Sequence, residues 1–311
     1  MGGNVFSGKT ASIKKEHIGP TLDKYFNELK KIFPKKASIF NTTHFIPLGS
    51  VGKKPMSGDI DLGIDAKDIL DQSMSDESIK SWNIDPADVH KEFALLEKRA
   101  RTSSKEQLYI KAFLKELTKY INSHAPNLYC DENKVTNGNI FGLFPQIDTS
   151  GKSVGIGVQI DWMIGDLKWL KFSYHSAAYP VDSNVKGLHR TQLMLAAFQR
   201  AGLSFNHVSG VKDKETGQVI ATDPNAALKL LMQRLAIPVT QKTVEDYYKL
   251  HETIKKFAKP EDYSGILDIY FKILDSTRCD IPDDLQAEWK RRKTRLGLTG
   301  KFLPDNSKLK D

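Results

Sequence analysis

Apolar residues recur near the start of this chain at the spacing of one helical face, at Leu22, Tyr25, Phe26, Leu29, Ile32 and Phe33, which predicts a helix over 20–33 that Pro34 stops. A β-rich run over 43–48 leads into Gly49-Ser50, and a strand follows over 59–64. Residues 66–107 are charged and polar, with Pro86 at a helix start, and read as an insertion between elements of one sheet. The spacing of Leu108, Ala112, Leu117 and Tyr120 predicts a helix over 105–123. Two apolar runs, 140–147 and 154–164, flank the turn-rich Thr149-Ser150-Gly151-Lys152 and predict a β-hairpin.

Beyond residue 185 the pattern becomes helical, over 185–201, 223–236, 243–258, 261–276 and 282–296, with a β-like interruption at 205–222 that turns at 214–217. Asp223-Pro224 supplies an N-cap carboxylate and a proline at the first helical position. The expected fold class is α+β. A mixed-sheet lobe over 1–184, carrying its insertion at about 66–107, precedes a mainly helical lobe over 185–311. No internal repeat or low-complexity tract interrupts this plan.

Composition narrows the picture. Hydrophobic residues at 40% and charged residues at 27% exclude global disorder. The net charge of +8 gives a bias towards polyanions. No run of about 20 apolar residues and no secretory signal pattern occurs, so a soluble, cytoplasmic protein with no membrane partner is expected. Cys130 and Cys279 are too few for a disulfide framework or a cysteine-rich zinc site, and buried thiols are expected. The sequence carries no signal for an oligomeric state.

The chemistry concentrates in Asp59-Ile60-Asp61-Leu62-Gly63-Ile64. Alternation puts both aspartates on one face of a strand and the apolar residues on the other. Two acids that close repel each other unless a cation neutralises them, and a magnesium-like ion with oxygen ligands does so. The later strand repeats the design, with Val158, Ile160 and Trp162 alternating with Gln159, Asp161 and Met163. Asp161 can complete a three-carboxylate cluster; Asp166 competes for that place. Such a cluster can hold two magnesium ions, one lowering the pKa of an attacking hydroxyl and one bracing a triphosphate and its leaving pyrophosphate. Gly49-Ser50 can cradle phosphate oxygens through turn amides and a hydroxyl, and Lys53 and Lys54 on the connecting segment can pair with the triphosphate.

Gly49-Ser50, Asp59-x-Asp61 and the later Asp161 together resemble the signature of the DNA polymerase β-like nucleotidyltransferase superfamily. The shared pattern is an apolar residue, Gly, then Gly or Ser, a connector, acid-x-acid on a strand, and a third acid on a neighbouring strand. The resemblance covers about residues 20–165; the roughly 100 residues between Asp61 and Asp161 exceed the spacing in compact members. It implies a nucleotidyltransferase lobe, with Asp59, Asp61 and Asp161 as catalytic metal ligands for two Mg2+ ions or Mn2+. It further implies template-independent transfer of a nucleoside monophosphate from a nucleoside triphosphate, with ATP expected, to a hydroxyl, the nucleotide lying between the lobes. The basic charge favours an RNA or tRNA 3′ end as acceptor. The same superfamily also allows synthesis of cyclic or linear oligonucleotide messengers. A degenerate RNA-binding module is the non-enzymatic alternative, which the intact acids argue against.

Weaker signals surround this core. Lys186, His189 and Arg190 open a helix soon after the third acid, where cations and a helix N-terminus can meet nucleotide phosphates. Tyr174 and Tyr179 can stack on a base or fill a core. The run Lys290-Arg291-Arg292-Lys293-Thr294-Arg295 can track a nucleic-acid backbone or be a solvated helix face. Gly3 to Thr10 formally matches G-x-x-x-x-G-K-[ST], but two residues cannot make the strand that loop requires, and a flexible basic arm is the better reading.

Overall fold

In the computed structural model, which describes all residues except 1–4, 7, 72–73, 101–103, 181–182 and 301–311, the chain divides into two units, 2–171 and 172–311. The first opens with β1 (Ile13–Lys14) and α1 (Lys15–Ile32). That helix starts five residues before the predicted one. Ile18 adds a buried turn to the apolar face, and Pro20, inside the helix, removes only one backbone donor. After a 3-10 turn over Pro34–Ile39 come β2 (Ile46–Pro47), β3 (Met56–Ser57) and β4 (Ile60–Asp65). The predicted 43–48 strand thus shrinks to two residues.

The polar stretch after β4 holds α2 (Ala66–Ile69), α3 (Asp76–Lys80) and α4 (Pro86–Arg99), and α5 (Lys105–His124) follows. Each starts on a side-chain cap: Asp65, Ser75, Asp85 and Ser104, the last with Gln107 closing a capping box. The stretch is less peripheral than its composition suggests. Trp82 is fully buried against Phe33, Phe40 and Phe113, and its indole N–H donates to the Ile69 carbonyl at 2.7 Å.

β5 (Tyr129–Cys130), β6 (Asn139–Ile147) and β7 (Ser153–Gly165) complete a five-stranded sheet in the order β2-β4-β7-β6-β5. The predicted hairpin is β6 and β7. β4 and β7 run parallel, in a register that sets Ile60 beside Ile160, Asp61 beside Asp161 and Leu62 beside Trp162. The other pairs are antiparallel, so the sheet is mixed. One face buries Ile60, Leu62, Ile64, Val158, Ile160 and Trp162 in the core, where Trp162 Nε1 donates to the Tyr25 hydroxyl at 2.6 Å.

Gly63 is a packing requirement of this sheet. A Cβ there would meet Leu48 Cδ1 at 2.8 Å, on the strand end that pairs with β4. Gly63→Ala is expected to destabilise the protein by about 1–3 kcal/mol through overpacking. Chemical denaturation checks this, with an unchanged midpoint as the contrary result.

α6 (Leu167–Ser173) leads along the chain into the second unit. There α7 (Gly187–Arg200) is followed by β8 (Leu203–Asn206), β9 (Gly210–Asp213) and β10 (Val219–Ala221), an antiparallel sheet in the order β10-β9-β8. This is the predicted β-like interruption, and its turn closes with Gly217 N–H on the Asp213 carbonyl at 2.9 Å. α8 (Pro224–Leu235), α9 (Gln241–Val244), α10 (Tyr247–Phe257), α11 (Pro260–Thr277) and α12 (Gln286–Leu296) follow. The predicted 243–258 helix is two, because Thr240 caps α9 and Asp246 restarts the chain as the N-cap of α10. Among the described residues no helix is long and apolar enough to cross a membrane. Cys130 is buried and Cys279 is half-buried.

Candidate active site

The parallel register of β4 and β7 places Asp61 and Asp161 side by side on one face, and Asp59 lies just before β4. One carboxylate oxygen from each of Asp59, Asp61 and Asp161 lies within 4.8 Å of the others. Asp161 is almost fully enclosed, at 3% exposure, while Asp59 and Asp61 are half-buried. Asp161 Oδ2 accepts from Gln159 Nε2 at 2.7 Å, and its Oδ1 is buried without a hydrogen-bond partner among the described residues.

Burial and crowding act on these acids in the same direction. Desolvation, then the charges of Asp59 and Asp161, hold the Asp61 carboxyl well above the usual aspartate range. Desolvation and then Asp59 push Asp161 up to about 8, against a lowering by the Gln159 hydrogen bond. A buried acceptor oxygen with no donor and three mutually repelling carboxylates are what an oxygen-coordinated divalent cation would satisfy. The donor set fits such an ion.

The Gly49-Ser50 turn belongs to the same place. Leu48 N–H donates to the Asp61 carbonyl at 2.9 Å, and the chain then leaves the sheet in a turn closed by Val51 N–H on the Leu48 carbonyl. Gly49 has φ of +61°, a conformation that favours glycine. Lys53 and Lys54 lie on the following loop, where Lys53 N–H bonds the Ser50 carbonyl at 3.1 Å and desolvation lowers the Lys53 ammonium pKa.

Asp166 lies outside this cluster and caps a helix, its Oδ1 accepting from Trp169 N–H at 2.8 Å at the start of α6. Lys186, His189 and Arg190 belong to the second unit. Lys186 is exposed. His189 is buried, with Nδ1 accepting from the Lys186 N–H at 2.8 Å and Nε2 on the Asp280 carbonyl at 2.9 Å. Arg190 is fully buried; Nη1 donates to the Ser173 carbonyl at 3.2 Å and Nε to that of Val244. These two side chains therefore carry framework bonds where nucleotide contacts were expected. A helical period marks the interior face as readily as a ligand face, and nothing in the local sequence separates the two.

The remaining candidates make contacts within the second unit. Tyr179 is buried and its hydroxyl accepts from Tyr247 N–H at 3.0 Å, and Tyr174 packs against the His207 ring at 5.1 Å. In the basic run of α12, Arg292 and Arg295 pair with Asp268, Arg291 pairs with Glu288, and Lys293 lies over the Trp289 ring. Three of its five cations are thereby neutralised within the unit. Part of Gly3 to Thr10 lies outside the described residues. Its described part forms a turn, with Lys9 N–H on the Phe6 carbonyl, and Thr10 bridges to Gly157 in β7. Among the described residues no helix follows until α1, so the strand, loop and helix order that a phosphate loop needs is not seen there.

Sequence reasoning missed Gln159 as the partner of Asp161, although its place two residues earlier on the same strand face was a usable signal. It also missed a buried network in the second unit. There His251 bridges Asp284 at 2.6 Å and the Tyr263 hydroxyl at 2.9 Å, an arrangement that tertiary folding alone assembles.

No protein-family model matches the chain, and no curated protein matches it. Among solved structures, polymerase beta of Leishmania infantum in its ternary P/T complex is similar over 77% of each chain, with 12% sequence identity and a TM-score of 0.40.

Proposed function

We propose that this chain is a metal-dependent nucleotidyltransferase that moves a nucleoside monophosphate from a nucleoside triphosphate, ATP foremost, to a hydroxyl, releasing pyrophosphate. The observation that carries this reading is the meeting of Asp59, Asp61 and Asp161 at the point where the Gly49-Ser50 turn leaves the sheet. Magnesium held by the three carboxylates would lower the pKa of the acceptor hydroxyl and offset charge on the departing pyrophosphate. Asp59 and Asp61, two positions apart at the start of β4, and Asp161, on the neighbouring strand, would give that ion ligands from two elements of one sheet. The Gly49-Ser50 amides and the Ser50 hydroxyl would receive phosphate oxygens, with Lys53 and Lys54 adding positive charge.

The net charge of +8 supports a polyanionic acceptor, an RNA or tRNA 3′ end. Incubation of the protein with each labelled ribonucleoside triphosphate, Mg2+ and mixed RNA is expected to extend the RNA and release pyrophosphate. Label found only in small oligonucleotides, with or without RNA, would replace the RNA acceptor by a second nucleotide. No pyrophosphate from any triphosphate under any of these conditions would overturn the transferase reading.

A further inference from the structure

The buried amide of Gln159 joins two things that are far apart in sequence. Its Nε2 donates to Asp161 Oδ2 at 2.7 Å, and its Oε1 accepts from the backbone N–H of Val5 at 3.0 Å. Gln159 is 2% exposed. A backbone N–H can only donate, so Gln159 Oε1 faces Val5 and the Nε2 donor faces Asp161. The arm that supplies Val5 is itself docked along β7. Phe6 is buried, Thr10 bridges Gly157, Ala11 N–H bonds the Gly157 carbonyl at 3.1 Å, and Gln146 Nε2 holds the Ala11 carbonyl at 2.9 Å.

We infer that Gln159 is a positioning residue for the metal centre: anchored by the Val5 N–H of the N-terminal arm, it grips Asp161 Oδ2 and leaves Oδ1 as the oxygen presented to the cation. The physical need is specific. Asp59 and Asp61 repel Asp161, and without a donor on one oxygen the third carboxylate is free to turn away from them. Oδ1 is also the oxygen that has no hydrogen-bond partner among the described residues. A hydrogen bond to the oxygen that does not bind metal orients the ligand, and losing such an outer partner costs about 10- to 100-fold in metal affinity. The docked arm thereby becomes part of the site's support, a role unrelated to the phosphate-loop pattern it resembles.

This inference rests on the three acids being a metal centre, and manganese binding followed by electron paramagnetic resonance separates the two claims. The full-length protein is titrated with Mn2+ alone, as wild type and as Asp161→Asn, Gln159→Met and Val5→Pro. Binding by wild type and its loss in Asp161→Asn support the centre; no binding by wild type overturns both claims. Gln159→Met, of similar length but with no donor, is expected to weaken Mn2+ binding about 10- to 100-fold. Val5→Pro, which removes the arm's N–H donor and leaves Gln159 itself in place, is expected to weaken it less, and adding it to Gln159→Met is expected to change nothing further. Pyrophosphate release by Gln159→Met should recover at high Mn2+, and that by Asp161→Asn should not. Wild-type affinity in Gln159→Met, or fully additive effects in the double variant, would overturn the inference. If Gln159→Met melts far below wild type, Val5→Pro decides: wild-type affinity in that variant overturns the inference, and weakened affinity supports it.

Discussion

Asp61→Asn is expected to abolish pyrophosphate release and, in metal-free buffer, to make the protein more stable. Both effects come from one cause. Asp61 is held well above the usual aspartate range by burial and by the charges of Asp59 and Asp161, so its ionised form is a cost to the folded state. Asparagine keeps the shape and removes the charge, which should raise the melting temperature in chelator. The same removal takes a ligand from the cation. Loss of turnover by about a thousandfold or more is expected, equivalent to about 4 kcal/mol of transition-state stabilisation. Thermal melting in chelator and a pyrophosphate assay in Mg2+ measure the two sides. Unchanged turnover would show that Asp61 is a structural acid, and a lower melting temperature would show that its charge is compensated within the protein.

The metal-free protein is also expected to lose stability as pH rises from about 4 to about 8. Asp161 holds its proton in the folded chain up to about 8, whereas the unfolded chain releases it near the ordinary aspartate value of 3.8. Through that window the folded state binds more protons than the unfolded state, so the unfolding free energy falls with rising pH and levels off above about 8. The total is of the order of several kcal/mol. Saturating Mg2+ should remove most of the slope, because the cation stabilises the ionised acids that crowding disfavours. Denaturant titrations across this range, with chelator and with Mg2+, check it. Equal slopes in the two conditions, or an undiminished slope in Asp161→Asn, would contradict the metal-centre reading.

Much of the site was legible because its parts are local. The alternation in Asp59 to Ile64, the Gly49-Ser50 turn and the isolated acid in the strand of Asp161 are each visible within a few residues. What local pattern could not supply is the parallel register that puts Asp61 beside Asp161 across about 100 residues, since strand pairing depends on the whole sheet. The same limit explains Gln159: its place beside Asp161 was readable, whereas Val5 reaches its other end through an arm 154 residues away in sequence.

The remaining differences between pattern and structure have equally physical origins. His189 and Arg190 are polar residues at a helix start, yet α7 is buried on most of its circumference and gives both side chains backbone partners. The short 43–48 strand and the divided 243–258 helix show capping and turn chemistry overriding apolar spacing. The stretch over 66–107 reads as polar because its few apolar side chains, Trp82 above all, are the ones that reach the core.

The most direct measurement is anomalous diffraction from crystals grown with Mn2+ and a non-hydrolysable nucleoside triphosphate. The expected result is manganese bound by Asp59, Asp61 and Asp161, with the triphosphate over the Gly49-Ser50 turn. Manganese and triphosphate bound elsewhere, with the three carboxylates still without a cation, would contradict the proposed centre.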